Sequence, residues 1–249
     1  MKSSQPRDAA RRLRRMHDRL AKVYGLQHWW PAKTDFEVVL GAYLTQNTSW
    51  RAAERSLENL RQAGALTIDG LREIALERLQ DLIRPSGFHT RKSIALKAFV
   101  SMLDSEFDGS LGNLAASTTA DIRDRLLRLP GVGPETADAL LLYALKHPVP
   151  VADEYLRRIA ERHRLITPAP GHNRHGYDAL VQLTREAFAD APPRDEADLF
   201  NEFHALVVAV GKAHCGSNPR CTGCPLFDDL SDSAHASTAQ ETRPLGRKP

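Results

Sequence analysis

The sequence has no apolar run approaching the ~20 residues of a membrane span. Its basic N-terminus is followed by no hydrophobic segment, so no secretory signal is expected. Cysteine is scarce. All three cysteines fall between positions 215 and 224, which is no disulfide framework, and a reducing cytosolic setting is expected. No stretch alternates apolar and polar residues for long enough to read as a strand, and Val149-Pro150-Val151 is too short to count. A large excess of one charge is also missing. The net charge of +3 and pI near 8.8 permit a nucleic-acid partner without demanding one. Aromatic residues make up only 6% of the chain, and tryptophan occurs only at Trp29, Trp30 and Trp50.

What remains is helical periodicity over a length of 249 residues, enough for one large domain or two small ones. Leu13, Met16, Leu20 and Val23 form one stripe. Phe36, Val39, Leu40, Tyr43 and Leu44 form a second, and Ile94, Ala95, Ala98, Phe99, Met102 and Leu103 a third. Further helices are expected near 50–62, 68–76, 78–84, 119–128, 134–146, 154–164, 175–190 and 195–213. Gly25, Gly64, Gly87 and Gly109 fall where helices should stop. Arg11, Arg12, Arg14 and Arg15 read first as a solvated helix face. Residues 166–176, rich in Pro, Gly and His, read as a surface loop, and 231–249 as a disordered tail.

The most informative segment is Leu129-Pro130-Gly131-Val132-Gly133-Pro134-Glu135-Thr136-Ala137-Asp138. Two glycines open the turn, and Pro134 suits the first helical position. The main chain of Gly131, Val132, Gly133, Glu135 and Thr136 can then hold a backbone phosphate at the start of a helix. Such a contact positions nucleic acid but reads no sequence. The plainer reading is an ordinary Gly-Pro turn between helices. A weaker copy of the same punctuation runs from Ile83 to Thr90, with His89 where the second copy has Gly133. Downstream, Asp153 is a natural N-cap for a helix starting at Glu154.

With Leu44-Thr45-Gln46-Asn47-Thr48-Ser49, Val151-Ala152-Asp153 and the C-terminal cysteines, these features resemble the helix-hairpin-helix (HhH-GPD) DNA glycosylase superfamily. The resemblance spans roughly 28–230, in the endonuclease III-like branch. It implies an all-α protein of two helical domains with a DNA-binding cleft between them. A six-helix domain would cover 34–147, and 1–33 with 148–230 would form the second.

The resemblance gives Asp153 the catalytic role. Cleaving a base from deoxyribose builds positive charge on the sugar, which a carboxylate stabilises while it orients or deprotonates water. Bifunctional members carry a lysine in the hairpin helix where this chain has Glu135. A carboxylate forms no Schiff base, so lyase activity is not expected. Trp29-Trp30-Pro31 and the TQNTSW run resemble the 3-methyladenine DNA glycosylase branch. There the positions of Trp29 and Trp50 stack on the flipped base, and Gln46 fills the gap it leaves. Tryptophans are also common core residues, and Trp30 is read as core. Lys212 stands where cluster-free members of that branch carry a modified lysine, although an exposed helix-end lysine is the default. Arg157 and Arg158 are further candidates for DNA phosphate.

Cys215, Cys221 and Cys224 match three of the four cluster ligands of the family, and Leu230 stands at the fourth. Thiolates at this spacing suit a [4Fe–4S] cluster or zinc. With three, a further ligand would have to come from Asp228, Asp229, His214 or elsewhere. A cluster, zinc and a metal-free relic all stay open.

The expected function is a monofunctional glycosylase of base excision repair. It would act as a monomer on double-stranded DNA containing a damaged base, in the cytoplasm at the nucleoid, with no membrane partner. An alkylated purine is the leading lesion. Oxidised pyrimidine or a mismatched base is the alternative within the chemistry, and a non-catalytic DNA-binding protein the alternative outside it.

Overall fold

The computed structural model describes residues 5–27, 32–167 and 174–230. Every regular element among them is helical. The chain divides into two compact units. One comprises residues 1–29, 152–195 and 202–249, and the other residues 30–151 and 196–201. The expected division at 34–147 thus differs by a few residues at each end, and by the six residues 196–201.

The second unit is built on α2 (Asp35–Leu44), which packs against α3 (Trp50–Gln62), α6 (His89–Glu106) and the π-helical turn Leu140–Ala144. Val39, Leu40, Tyr43 and Leu44 are almost wholly buried because α2 has neighbours on several sides. Thr34 caps its start, accepting from the Glu37 N–H. The unit also contains α4 (Ile68–Glu73), α5 (Leu76–Ile83), α7 (Leu111–Ala115), α8 (Thr119–Arg128) and α9 (Pro134–Ala139). The segment expected as one helix over 134–146 is α9 followed by the π-helical turn.

The first unit contains α1 (Gln5–Tyr24), α10 (Glu154–Arg162), α11 (Arg174–Ala187) and the greater part of α12 (Glu196–Ala213). α11 packs against both α1 and α10. Phe188 meets Phe203 edge-on at 5.2 Å between centroids, and His17 meets Phe188 at 5.1 Å.

Two members of the sequence stripes are exposed. Leu13, Met16 and Leu20 are buried, but Val23 is 57% exposed, in the last turn of α1. In α6, Ile94 is exposed while Lys92 and Ser93 turn inward. The five-residue α7 carried no periodic signal. The four glycines expected to end helices all have φ between 66° and 69°, a region that L-residues seldom enter. Trp29, Trp30 and the 231–249 tail lie outside the described residues.

Candidate active site

In the second unit, α8, the turn Leu129–Gly133 and α9 form the helical hairpin. Gly131 has φ +74°, and a Cβ there would also approach Ala95 Cβ at 3.6 Å. Gly133 caps α9 without a side chain, and a Cβ added to it would meet nothing within 4 Å. Its small size therefore leaves the approach to the main chain open rather than relieving a clash. Across the hairpin, the Arg123 guanidinium of α8 donates to both oxygens of Asp138 in α9, at 2.7 and 3.1 Å. Asp138 is fully buried, so this bidentate pair braces the two helices on either side of the turn.

The loop after α2 reaches the same turn. Gln46 Nε2 donates to Gly131 O at 3.1 Å and to Thr136 Oγ1 at 2.8 Å. Two features nominated separately in the sequence are thus in contact. Trp50 opens α3 and is half-buried. Glu135 is exposed on the first turn of α9.

No motif or periodicity points to Lys92, which is buried and donates to Leu44 O and to Ser86 O, both at 2.8 Å. Burial lowers its amine to about 8. It ties the root of the Gln46 loop to the turn between α5 and α6, where Phe88 is 61% exposed with φ +48°. That turn is the weaker copy of the hairpin seen in the sequence.

In the first unit, Asp153 is buried and caps α10. Its Oδ1 accepts the Leu156 N–H at 2.8 Å. Oδ2 lies 3.5 Å from Nε2 of His204, a buried residue of α12 that sequence reasoning had passed over. Arg157 is held by Glu154 and Glu161, each at 2.6 Å. Arg158 donates to Glu154 Oε1 and to Cys215 O, and lies over the Tyr155 ring. Both guanidiniums are engaged within the chain, so a phosphate would have to exchange with these partners. Lys212 is exposed near the end of α12.

The cysteines follow α12. Cys215 is buried, and Arg162 Nη1 approaches its Sγ at 3.0 Å. Burial pushes the Cys224 thiol up, and Cys215 and Cys221 nearby add to the effect. Asp229, one of the candidate fourth ligands, is bound to Arg12 at 2.6 Å and lies 3.3 Å from His163 Nδ1. His214 Nδ1 is paired with Arg220 O at 2.9 Å. Among the described residues, no three His, Cys, Asp or Glu side chains are arranged to hold a metal ion. The donor set therefore does not fit a four-thiolate cluster, and no chemical step is derived through one. No helix among the described residues is long and apolar enough to cross a membrane.

The family model described as HhH-GPD superfamily base excision DNA repair protein matches residues 40–179, which contain both the hairpin and Asp153. The chain belongs to this superfamily. It is a DNA glycosylase of base excision repair. A candidate DNA repair glycosylase of Methanocaldococcus jannaschii is 36% identical over 209 residues, covering 83% of this chain and 90% of that one. The H. pylori 3-methyladenine DNA glycosylase, solved with 1,N6-ethenoadenine, is similar with a TM-score of 0.70 and 28% identity. That match covers 81% of this chain and 97% of the other. A trapped endonuclease III–DNA covalent intermediate shares the fold at TM-score 0.72 and 20% identity, over 92% and 98% of the two chains.

Proposed function

We propose that this HhH-GPD glycosylase is monofunctional, and that it removes alkylated purines from double-stranded DNA to leave an abasic site. The main-chain amides at 131–133 take a phosphate, and the damaged nucleotide is turned out of the stack. The C1′–N bond then breaks, and the Asp153 carboxylate stabilises the positive charge on the sugar. Water adds at C1′ and gives up its proton toward Asp153. An alkylated purine with a positive charge departs as a neutral base when it takes the bonding pair, so no second acid is needed.

The observation that carries the reading is the pair of carboxylates. Asp153 is buried with one oxygen committed to the helix cap, and the hairpin helix presents Glu135 where a nucleophilic amine would be needed for strand cleavage. The similarity to the H. pylori 3-methyladenine enzyme supports the choice of lesion. Gln46 is assigned to the vacated space, and Trp29 and Trp50 to stacking on the flipped base.

The test is a panel of duplexes bearing 3-methyladenine, an oxidised pyrimidine or a G·T mismatch, assayed with and without alkali. Base release from the alkylated duplex, with strand breaks only after alkali and no borohydride-trapped adduct, is expected. Trapping, or breaks without alkali, would refute the monofunctional reading. Preference for the pyrimidine or the mismatch would refute the choice of lesion.

A further inference from the structure

We propose that His204 is a positioning residue for base excision, its imidazole Nε2 holding the Asp153 oxygen that the helix cap leaves uncommitted. This rests on the catalytic reading of Asp153 given above.

The two oxygens of Asp153 have different surroundings. Oδ1 is fixed by the Leu156 N–H at 2.8 Å and serves the start of α10. Oδ2 faces Nε2 of His204 at 3.5 Å. Both residues are buried, at 8% exposure each. A buried carboxylate needs partners, and an ionised one accepts at both oxygens. An imidazole with its proton on Nε2 donates to Oδ2 whether the ring is neutral or charged. A separation of 3.5 Å is longer than a formed hydrogen bond, and contacts of this kind tighten when substrate binds.

The helices are built to bring the pair together. His204 and Gly211 stand seven residues apart on α12, two turns along one face. A Cβ at Gly211 would come within 2.2 Å of the Tyr155 ring, so only glycine lets α12 lie this close to the first turn of α10. Phe203, Ala205 and Leu206 around His204 are buried, which fixes where the ring can sit. A histidine that only filled volume would not need its Nε2 edge turned to the carboxylate that caps α10.

The experiment measures single-turnover release of 3-methyladenine, and binding to an abasic-site duplex. It compares wild type with His204→Leu, His204→Gln, Asp153→Asn and the Asp153→Asn/His204→Leu double variant, with thermal unfolding followed in each. We expect His204→Leu to slow release by roughly 10- to 100-fold, with abasic-duplex binding within about twofold of wild type. His204→Gln, whose amide nitrogen stands near Nε2, recovers most of the rate. In the Asp153→Asn background the leucine substitution adds no further loss. Losses that multiply in the double variant would reduce His204 to a structural role and overturn the proposal. Full rate in His204→Leu beside a dead Asp153→Asn would overturn it while leaving Asp153 catalytic. An Asp153→Asn enzyme as active as wild type would overturn both readings. If His204→Leu fails to fold, the imidazole ¹⁵N spectrum decides. Nε2 of His204 should shift on Asp153→Asn, and an unmoved resonance overturns the proposal.

Discussion

Gln46 and Gly131 are joined across 85 residues of sequence, the side-chain amide of one donating to the main-chain carbonyl of the other at 3.1 Å. The side chain proposed to fill the vacated space is thus seated on the turn proposed to take the phosphate. Gln46 is only half-buried, so its hydrogen bonds add little net stability. Gln46→Ala should change the unfolding free energy by under about 1 kcal/mol. It should also slow excision from duplex DNA roughly tenfold, since filling the vacated space offsets part of the unstacking cost. Comparing single-turnover rates on duplex and single-stranded substrate checks this, and the loss should be confined to the duplex.

The Arg123–Asp138 pair holds the hairpin. Arg123→Leu leaves a buried carboxylate without its bidentate partner and should cost about 3–5 kcal/mol. Arg123→Lys keeps the charge but loses the fork, and should recover only part of that. Denaturant unfolding of the two variants measures both effects.

Lys92 carries a pH signature. Its amine titrates at about 8 in the folded protein and near 10.4 in an unfolded chain. The cost of burying its charge is present in full below pH 8. It is relieved as pH rises from about 8 to 10.4, because the unfolded chain then binds more protons than the folded one. Lys92→Met removes that term and leaves two carbonyls without their donor. The stability of wild type relative to Lys92→Met should therefore climb across this window. Parallel curves would contradict it.

The hairpin and Asp153 were legible because each is local. A Gly-x-Gly-Pro turn and an Asp before a helix announce themselves within ten residues. The pairings of Arg157 with Glu154 and Glu161 follow from i,i+3 and i,i+4 spacing and were equally open to reading. His204 and Lys92 were not, because each works through a distant contact, 48 residues from Lys92 to Leu44 and 51 from His204 to Asp153. Helical periodicity likewise placed Val23 and Ile94 in the core, because a stripe records the phase of a helix and not where its neighbours end. Gln46 was found from a motif, while its seat on Thr136 and Gly131 came only from the fold.

Protein groups tie down the 215–230 segment. Arg162 donates to the Gly216 and Ser217 carbonyls, Arg158 to Cys215 O, and Arg12 to Asp229. Burial pushes the Asp229 carboxyl up, but hydrogen bonds from His163 and Arg12 outweigh it and hold the group below its usual value. Its stabilisation is present above the unfolded carboxylate range and is lost as pH falls through the lowered value. We propose that the fold needs no metal here. Prolonged exposure to a chelator should leave the melting temperature and excision rate unchanged, whereas Arg12→Leu should lower the melting temperature and flatten its fall in acid. A chelator-induced loss of stability, or iron in the purified protein with absorbance near 400 nm, would contradict this.

The most direct test of the account is single-turnover release of 3-methyladenine by Asp153→Asn, beside wild type at equal DNA occupancy. The amide keeps an oxygen for the Leu156 cap but cannot stabilise a cation as a carboxylate does. Release should fall by at least about 100-fold, with the fold and DNA binding retained. Release at the wild-type rate would contradict the assignment of Asp153 as the catalytic group.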